Sequence, residues 1–278
     1  MEKTHFLNGR FVSESELLIS PRDLGYSRGY AVFDFLVTYH HRPFMLKSHV
    51  DRLFRSAEAI TLYIPWTKEQ VSEWILKTLD ANKAMNTEKV IRITISGGSS
   101  FILTPTDSPT IVITIDSMIY CSPENYKDGV EVNLVEFQRY LPQAKTNNYI
   151  EAIRSMNGSN TQNIDELIYH SNGMVHEGSR CNIFAAINGR LLTPKTNILE
   201  GITRGVLLDI LKLTVPVVAE DFSVDALHSA SEIFLTATGK EIMPVTKING
   251  VRVGSGSVGT LTKGVMQQYN SFVHSALW

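Results

Sequence analysis

Apolar or alternating runs lie on both sides of three Asn-Gly pairs. His5-Phe6-Leu7 and Arg10-Phe11-Val12 flank Asn8-Gly9, Ile183–Ile187 and Arg190–Thr193 flank Asn188-Gly189, and Val245–Ile248 and Val251–Val253 flank Asn249-Gly250. Asn-Gly suits the two positive-φ positions of a type I′ turn, so each stretch reads as a β-hairpin. Runs rich in β-branched and aromatic residues predict further strands at 31–39, 90–96, 109–116, 130–136, 166–169 and 232–236. Helical spacing of Val50, Leu53, Phe54, Ala57 and Ile60 predicts a helix over 48–61. Thr67 followed by Gln70 has the form of a capping box and opens a helix over 67–81. Others are predicted at 148–157, 203–213 and 258–274. Helices and hairpins mix without a regular β-α-β rhythm, which argues for an α+β chain with largely antiparallel sheets. The longest apolar stretch, Thr110–Tyr120, contains Asp116 and falls short of the roughly 18 to 20 residues a membrane span needs, so it reads as a buried strand.

With 278 residues, 43% of them apolar and 19% charged, the chain has ample material for a core and is expected to form two domains. The turn formers of Met118–Asp128 place the boundary there: a smaller α/β domain over 1–118, a linker over 119–128 and a larger domain over 129–278. The 26 basic residues balance the 28 acidic ones to a net charge of −2, which gives no reason to expect nucleic acid or an anionic membrane as partner. Cys121 and Cys181 are too few and too far apart for a disulfide framework, and no Cys-x-x-Cys or His-x-x-x-His cluster suggests a metal. Free thiols and an N-terminus without an apolar signal region point to a cytoplasmic protein.

Five segments carry candidate chemistry. Lys145 lies in Gln-Ala-Lys-Thr-Asn-Asn-Tyr, after a strand and a Leu-Pro turn and before a helix. Glu177 lies where a strand ends, in EGSRCNIF. Gly201-Ile202-Thr203, in LEGITR, gathers unpaired backbone N–H groups and a hydroxyl before a helix, an arrangement suited to phosphate. Thr236, Thr238 and Gly239, in EIFLTATGKEIMPV, bring hydroxyls and a flexible turn to a strand end. Arg52 stands near the start of an amphipathic helix in SHVDRLFRSA. Taken singly, Lys145 reads as a surface charge and Arg52 as half of a surface ion pair.

In this order and at these spacings the segments resemble the fold-type IV pyridoxal-phosphate enzymes: D-amino acid aminotransferases, branched-chain aminotransferases and aminodeoxychorismate lyases. The likeness runs from the first hairpin to the last helix. It implies a two-domain fold-type IV enzyme, with a smaller N-terminal α/β domain and a larger C-terminal domain of mostly antiparallel sheets. It also implies pyridoxal 5′-phosphate as cofactor and a homodimer with active sites shared between subunits. By the resemblance Lys145 binds the cofactor covalently and moves the substrate proton, and Glu177 faces the ring nitrogen and keeps it protonated. Arg52, Ile202, Thr203 and Thr238 hold the phosphate, and Tyr149 hydrogen-bonds the ring hydroxyl.

On the substrate side the chain departs from its kin. After the strand VIRITI it has SGGSSFILTP, without the Arg-x-His pair of familiar D-amino acid aminotransferases. Branched-chain enzymes place a Tyr and an Arg near that strand, and Arg92 is either that arginine or an outward strand position. Phe33, in GYAVFDFL, is expected to line the substrate pocket with Gly239. Arg28 and Arg180 stand in unusual places and would rebuild a carboxylate site. The reading is a transaminase for D-glutamate or D-alanine with a 2-oxo acid such as 2-oxoglutarate, working by ping-pong through pyridoxamine phosphate. Branched-chain L-specificity is the alternative, then aminodeoxychorismate lyase.

Overall fold

The computed structural model describes residues 2–157, 165–275 and 278. The chain divides into two compact units: residues up to Ile119 with Gln143–Asn148 and Trp278, and Tyr120–Pro142 with the residues from Tyr149 onward.

The first unit is built on six strands: β1 (Thr4–Leu7), β2 (Arg10–Ser13), β3 (Ala31–Tyr39), β4 (Arg42–Pro43), β5 (Lys89–Ser96) and β6 (Thr110–Ser117). Their order in the sheet is β2-β1-β6-β5-β3-β4, antiparallel throughout. Ile91, Ile93 and Ile95 of β5, and Ile111, Ile113 and Ile115 of β6, alternate onto one buried face, as period two requires. Two helices cover that face, α2 (Leu46–Ala59) and α3 (Lys68–Ala81); a shorter one, α1 (Leu24–Arg28), precedes β3. The capping box forms: Thr67 Oγ1 accepts from Gln70 N at 3.2 Å, and Gln70 Oε1 accepts from Thr67 N at 2.8 Å. Helix α1 lies outside the elements expected from the sequence, although Asp23 caps it by accepting from Gly25 N at 2.8 Å.

Gln143–Asn148 belongs to this unit because it lies along β3. Phe33 N donates to Lys145 O at 2.9 Å and Asn147 N to Ala31 O at 3.3 Å. The sequence expectation places this segment in the larger domain; nothing local in it reveals that its backbone pairs with a strand more than a hundred residues upstream.

Among the described residues the second unit holds nine strands: β7 (Val130–Glu136), β8 (Glu166–Ser171), β9 (Met174–Gly178), β10 (Asn182–Ile187), β11 (Arg190–Thr193), β12 (Val217–Ala219), β13 (Glu232–Ala237), β14 (Glu241–Ile248) and β15 (Val251–Arg252). Their order is β12-β11-β10-β13-β14-β7-β8-β9, with β15 paired to β14. The pairs β7–β8, β7–β14 and β11–β12 are parallel and the others antiparallel. The architecture is the mixed α+β, mostly antiparallel one expected. Helices α4 (Pro123–Asp128), α5 (Ile150–Met156), α6 (Ile202–Gly205), α7 (Val224–His228) and α8 (Thr260–Ser275) complete the unit. None of the helices among the described residues is long and apolar enough to cross a membrane.

All three expected hairpins form, with Asn8, Asn188 and Asn249 at φ of 46°, 50° and 49°, each followed by a positive-φ glycine. A fourth, Asn172-Gly173, joins β8 to β9 with both residues at positive φ. It carries the same dipeptide signal as the other three. Two helical expectations need correction. The stretch 119–128 contains α4, started by Ser122 with Pro123 at its first position. The helix expected over 203–213 ends at Ile210, after α6 runs into one π-helical turn over Val206–Ile210. Leu211 is already extended, and Pro216 disfavours helix at Val215.

Candidate active site

In the first unit the site residues grow from the packing of α2 on β3. Helix α2 buries two neighbouring stripes: Val50, Leu53 and Ala57 enter the core, while His49, Arg52 and Ser56 form a polar stripe beside them. That polar stripe meets Asp34, fully buried on β3. Arg52 grips Asp34 as a fork, with Nε to Oδ2 at 2.9 Å and Nη2 to Oδ1 at 2.8 Å. His49 Nδ1 lies 2.7 Å from Asp34 Oδ1, which also accepts from Phe35 N at 2.7 Å. Burial alone would raise the Asp34 carboxyl; the Arg52 guanidinium and His49 reverse this and hold it well below the usual carboxylate range. Arg52 is thus buried rather than part of a surface ion pair, and its Nε and Nη2 go to a carboxylate of its own unit. Any phosphate contact by Arg52 is shared with that carboxylate.

Burial pushes the His49 imidazole down, only partly offset by Asp34, so the ring stays neutral and Nδ1–H donates to Asp34. This sets an expected pH dependence. The unfolded chain protonates this histidine below its ordinary value of 6.5, whereas the folded chain resists. The unfolded state then binds more protons, and stability falls as pH drops below about 6.5, by at most about 1.4 kcal/mol per pH unit for one proton. His176, also pushed down by burial, acts in the same direction. Thermal melts from pH 8 to pH 5 should show a flat upper limb and a falling lower one, with a shallower fall in His49→Asn. An unchanged slope in that variant would contradict the neutral histidine.

Lys145 is held by its main chain. Its N–H donates to Ser56 Oγ at 3.1 Å and its carbonyl accepts from Phe33 N. Its side chain is half-buried, with Nζ 4.7 Å from the centroid of the Phe33 ring. The Arg92 guanidinium lies 3.8 Å from the same centroid, and Arg92 Nη2 donates to Asn147 Oδ1 at 3.3 Å. Phe33 thus brings a lysine amine and an arginine together against one ring. Arg92 is exposed on β5. Arg28 is exposed at the end of α1, its Nη1 donating to Ser27 O at 2.7 Å.

In the second unit Glu177 is buried near the end of β9. Its Oε2 accepts from Leu199 N at 2.9 Å, and its Oε1 lies 3.1 Å from Arg139 Nε. The Arg139 guanidinium also sits 5.1 Å from the Tyr149 ring centroid and 5.5 Å from that of Tyr169. Burial pushes the Tyr169 phenol up to about 12, against the opposing pull of Arg139. Arg139 is not among the sequence candidates because no motif surrounds it and its partner lies in a different strand. The structure joins Tyr149 to Glu177 through it.

Arg180 lies elsewhere in this unit: its Nε is 3.4 Å from Glu166 Oε2, and its side chain is half-exposed. Lys240 Nζ donates to the same oxygen at 2.8 Å, and the Ser179 hydroxyl donates to Oε1. Burial would raise the Glu166 carboxyl, but Lys240 and Arg180 keep it below its usual range. Thr203 and Ile202 begin α6, and Thr203 is buried with no partner for its hydroxyl among the described residues. The same holds for Thr236 on β13, while Thr238 and Gly239 occupy the half-buried turn that follows. Buried hydroxyls are almost always hydrogen-bonded. Two orphaned ones suit a ligand rich in acceptor oxygens, such as a phosphate ester, so the donor set fits the cofactor that the resemblance implies. No group of three or more His, Cys, Asp or Glu that could hold a metal occurs among the described residues. Both cysteines are free thiols.

The amino-transferase class IV family model matches residues 31–248, so the chain belongs to that family and is a fold-type IV aminotransferase. Enzymes of this class work with pyridoxal 5′-phosphate. Among its relatives, a D-alanine aminotransferase of Staphylococcus epidermidis is 32% identical over 275 residues, covering 97% of this chain and 98% of that one. A branched-chain aminotransferase from the archaeon Thermoproteus uzoniensis, solved with norvaline, superposes with a TM-score of 0.90 at 27% identity, over 100% of this chain and 96% of that one. Another branched-chain amino acid aminotransferase, of T.th. origin and solved with pyridoxamine 5′-phosphate, gives a TM-score of 0.90 at 26% identity, over 99% and 95%.

Proposed function

We propose that this aminotransferase moves the amino group of a D-amino acid, D-alanine or D-glutamate, onto a 2-oxo acid such as 2-oxoglutarate. The observation that carries the reading is the Phe33 ring, against which both the Lys145 amine and the Arg92 guanidinium lie. An α-amino acid needs a base for its Cα proton and a cation for its carboxylate, and this pairing supplies both. D-alanine aminotransferases alike over nearly the whole chain support the D-series.

Bound pyridoxal phosphate supplies an electron sink for the carbanion left when the Cα proton departs. Lys145 would hold the cofactor covalently and, once the substrate amine has displaced it, its free amine would carry the proton from Cα to the cofactor's C4′ carbon. Glu177 keeps the ring nitrogen protonated, and Arg139 fixes the position of that carboxylate. Tyr149 donates to the ring hydroxyl. Arg52, Ile202, Thr203 and Thr238 bind the phosphate, joined by the hydroxyl of Thr236. Phe33 and Gly239 wall the substrate.

For the substrate carboxylate, Arg92 is favoured over Arg28 and Arg180, because Arg92 lies on the Phe33 ring beside the Lys145 amine, whereas Arg180 is drawn to Glu166 and Arg28 bonds to the carbonyl of its neighbour Ser27. Arg92→Ala is expected to raise KM for amino and oxo acids by about 10- to 100-fold, the loss of one charge-assisted contact. Larger effects from Arg28→Ala or Arg180→Ala would move the anchor to those residues. The position of Arg92 on β5 also favours a second reading, branched-chain L-specificity. The test is a half-reaction. The visible absorbance of the loaded enzyme is followed separately with D-alanine, D-glutamate, L-leucine and L-glutamate. Bleaching by the D-amino acids alone is expected, and bleaching by L-leucine and L-glutamate would give the branched-chain reading.

A homodimer with shared active sites forms part of the proposal. The loop after β5 exposes Phe101, Ile102 and Leu103 together, at 80%, 67% and 79% of their surface, a patch suited to a second copy. Sedimentation equilibrium at the mass of one chain, with full turnover, would contradict it.

A further inference from the structure

We infer that Asn182 is a positioning residue that locks the 199–203 loop in register with Glu177, so that the ring-nitrogen contact and the phosphate contact are held at one fixed spacing. The inference rests on the cofactor assignments proposed above for Glu177, Ile202 and Thr203.

Asn182 opens β10, five residues after Glu177, and is buried. Its Nδ2 donates to Leu199 O at 2.8 Å. The N–H of the same Leu199 donates to Glu177 Oε2 at 2.9 Å. Leu199 is therefore gripped through both of its main-chain polar groups, one by the proposed ring-nitrogen carboxylate and one by Asn182.

The other end of the amide presses on the loop two residues further along. A Cβ on Gly201 would stand 2.0 Å from Asn182 Oδ1, well inside contact distance, so only glycine permits this approach. Gly201 directly precedes Ile202 and Thr203. Across the sheet, Asn182 pairs with Thr236, so the two side chains share a face. Of the two orphaned hydroxyls, Thr236 lies across the strand pair from Asn182, and Thr203 follows two residues after the Gly201 that Asn182 touches.

Each atom of the amide has a separate task. Nδ2 must donate to a carbonyl, and Oδ1 must sit close against a glycine. Aspartate would face the Leu199 carbonyl with an acceptor, and alanine would release both contacts.

The test reads cofactor retention of the holoenzyme by its visible absorbance during dilution, with the melting temperature and circular dichroism of each variant reporting folding separately. Asn182→Ala and Asn182→Asp are each expected to speed cofactor loss about 10-fold, the cost of losing the part-buried hydrogen bond to the Leu199 carbonyl. Both should shift the pH midpoint of the visible band, because Glu177 loses its fixed partner loop. Gly201→Ala in the wild-type background is expected to speed loss at least about 10-fold; in the Asn182→Ala background, where the obstructing oxygen is gone, the same change should cost less than about 2-fold. Additive effects of the two substitutions, or an Asn182→Asp enzyme with wild-type retention and midpoint, would overturn the role of Asn182 alone. A wild-type protein that takes up no pyridoxal phosphate would overturn the cofactor assignments and this role together.

Discussion

Lys145→Ala is expected to lower kcat by about 10,000-fold or more, the combined loss of a covalent anchor and a positioned general base. Stability should change little. The contacts that hold this segment are made by the main chain, from Lys145 N to Ser56 Oγ and from Phe33 N to Lys145 O, and alanine keeps both. The half-buried side chain brings its Nζ to 4.7 Å from the Phe33 ring centroid, a contact whose loss costs little. The variant should therefore fold, bind pyridoxal phosphate without a covalent bond, and stall. Added methylamine should restore part of the rate, since a free amine can stand in for the missing base. A variant within tenfold of wild-type kcat would remove Lys145 from the chemistry.

Asp34→Ala is expected to destabilise the protein by about 3 to 5 kcal/mol, because it leaves the Arg52 guanidinium buried without its counter-charge. Asp34 is fully buried, and its carboxylate accepts the Arg52 fork, His49 Nδ1 and Phe35 N. His49 and Arg52 are themselves buried, so neither can turn to water. For a chain of this size that cost corresponds to a fall in melting temperature of roughly 10 °C. Removing the charge as well, in Asp34→Ala with Arg52→Met, should recover part of the loss, as apolar replacement of a buried pair commonly does. The single variant should also weaken cofactor binding, since Arg52 loses the anchor that orients it. A single variant that melts within 2 °C of wild type, a shift worth less than about 1 kcal/mol, would show the pair to be dispensable.

Local chemistry was legible in the sequence and long-range pairing was not. Asn8-Gly9, Asn188-Gly189 and Asn249-Gly250 specify their turns through two residues each. Thr67 and Gln70 specify a helix start in one turn of chain, and both signals hold in the structure. Helices α1, α4 and α7 carried readable signals in Asp23, Ser122-Pro123 and Ser223, but each is so short that its apolar periodicity is weak. The resemblance singled out Lys145, Glu177 and Arg52 as candidates because each lies inside a recognisable segment. Asp34 with His49 and Arg52, or Arg139 with Glu177, depends on packing between elements 15 to 38 residues apart. Nothing in the spacing of these residues encodes the contact. The same limit explains Arg180. Its place three residues after Glu177 suggested shared surroundings, but the chain turns between β9 and β10 and carries the guanidinium to Glu166.

Reduction of the pyridoxal-phosphate-loaded protein with borohydride, followed by proteolysis and mass spectrometry, tests the assignment of the reactive lysine most directly. The phosphopyridoxyl mass should appear on the peptide that contains Lys145, and it should vanish in Lys145→Ala. A label on another lysine, such as Lys240, or no label on a protein that still transaminates, would contradict the site described here.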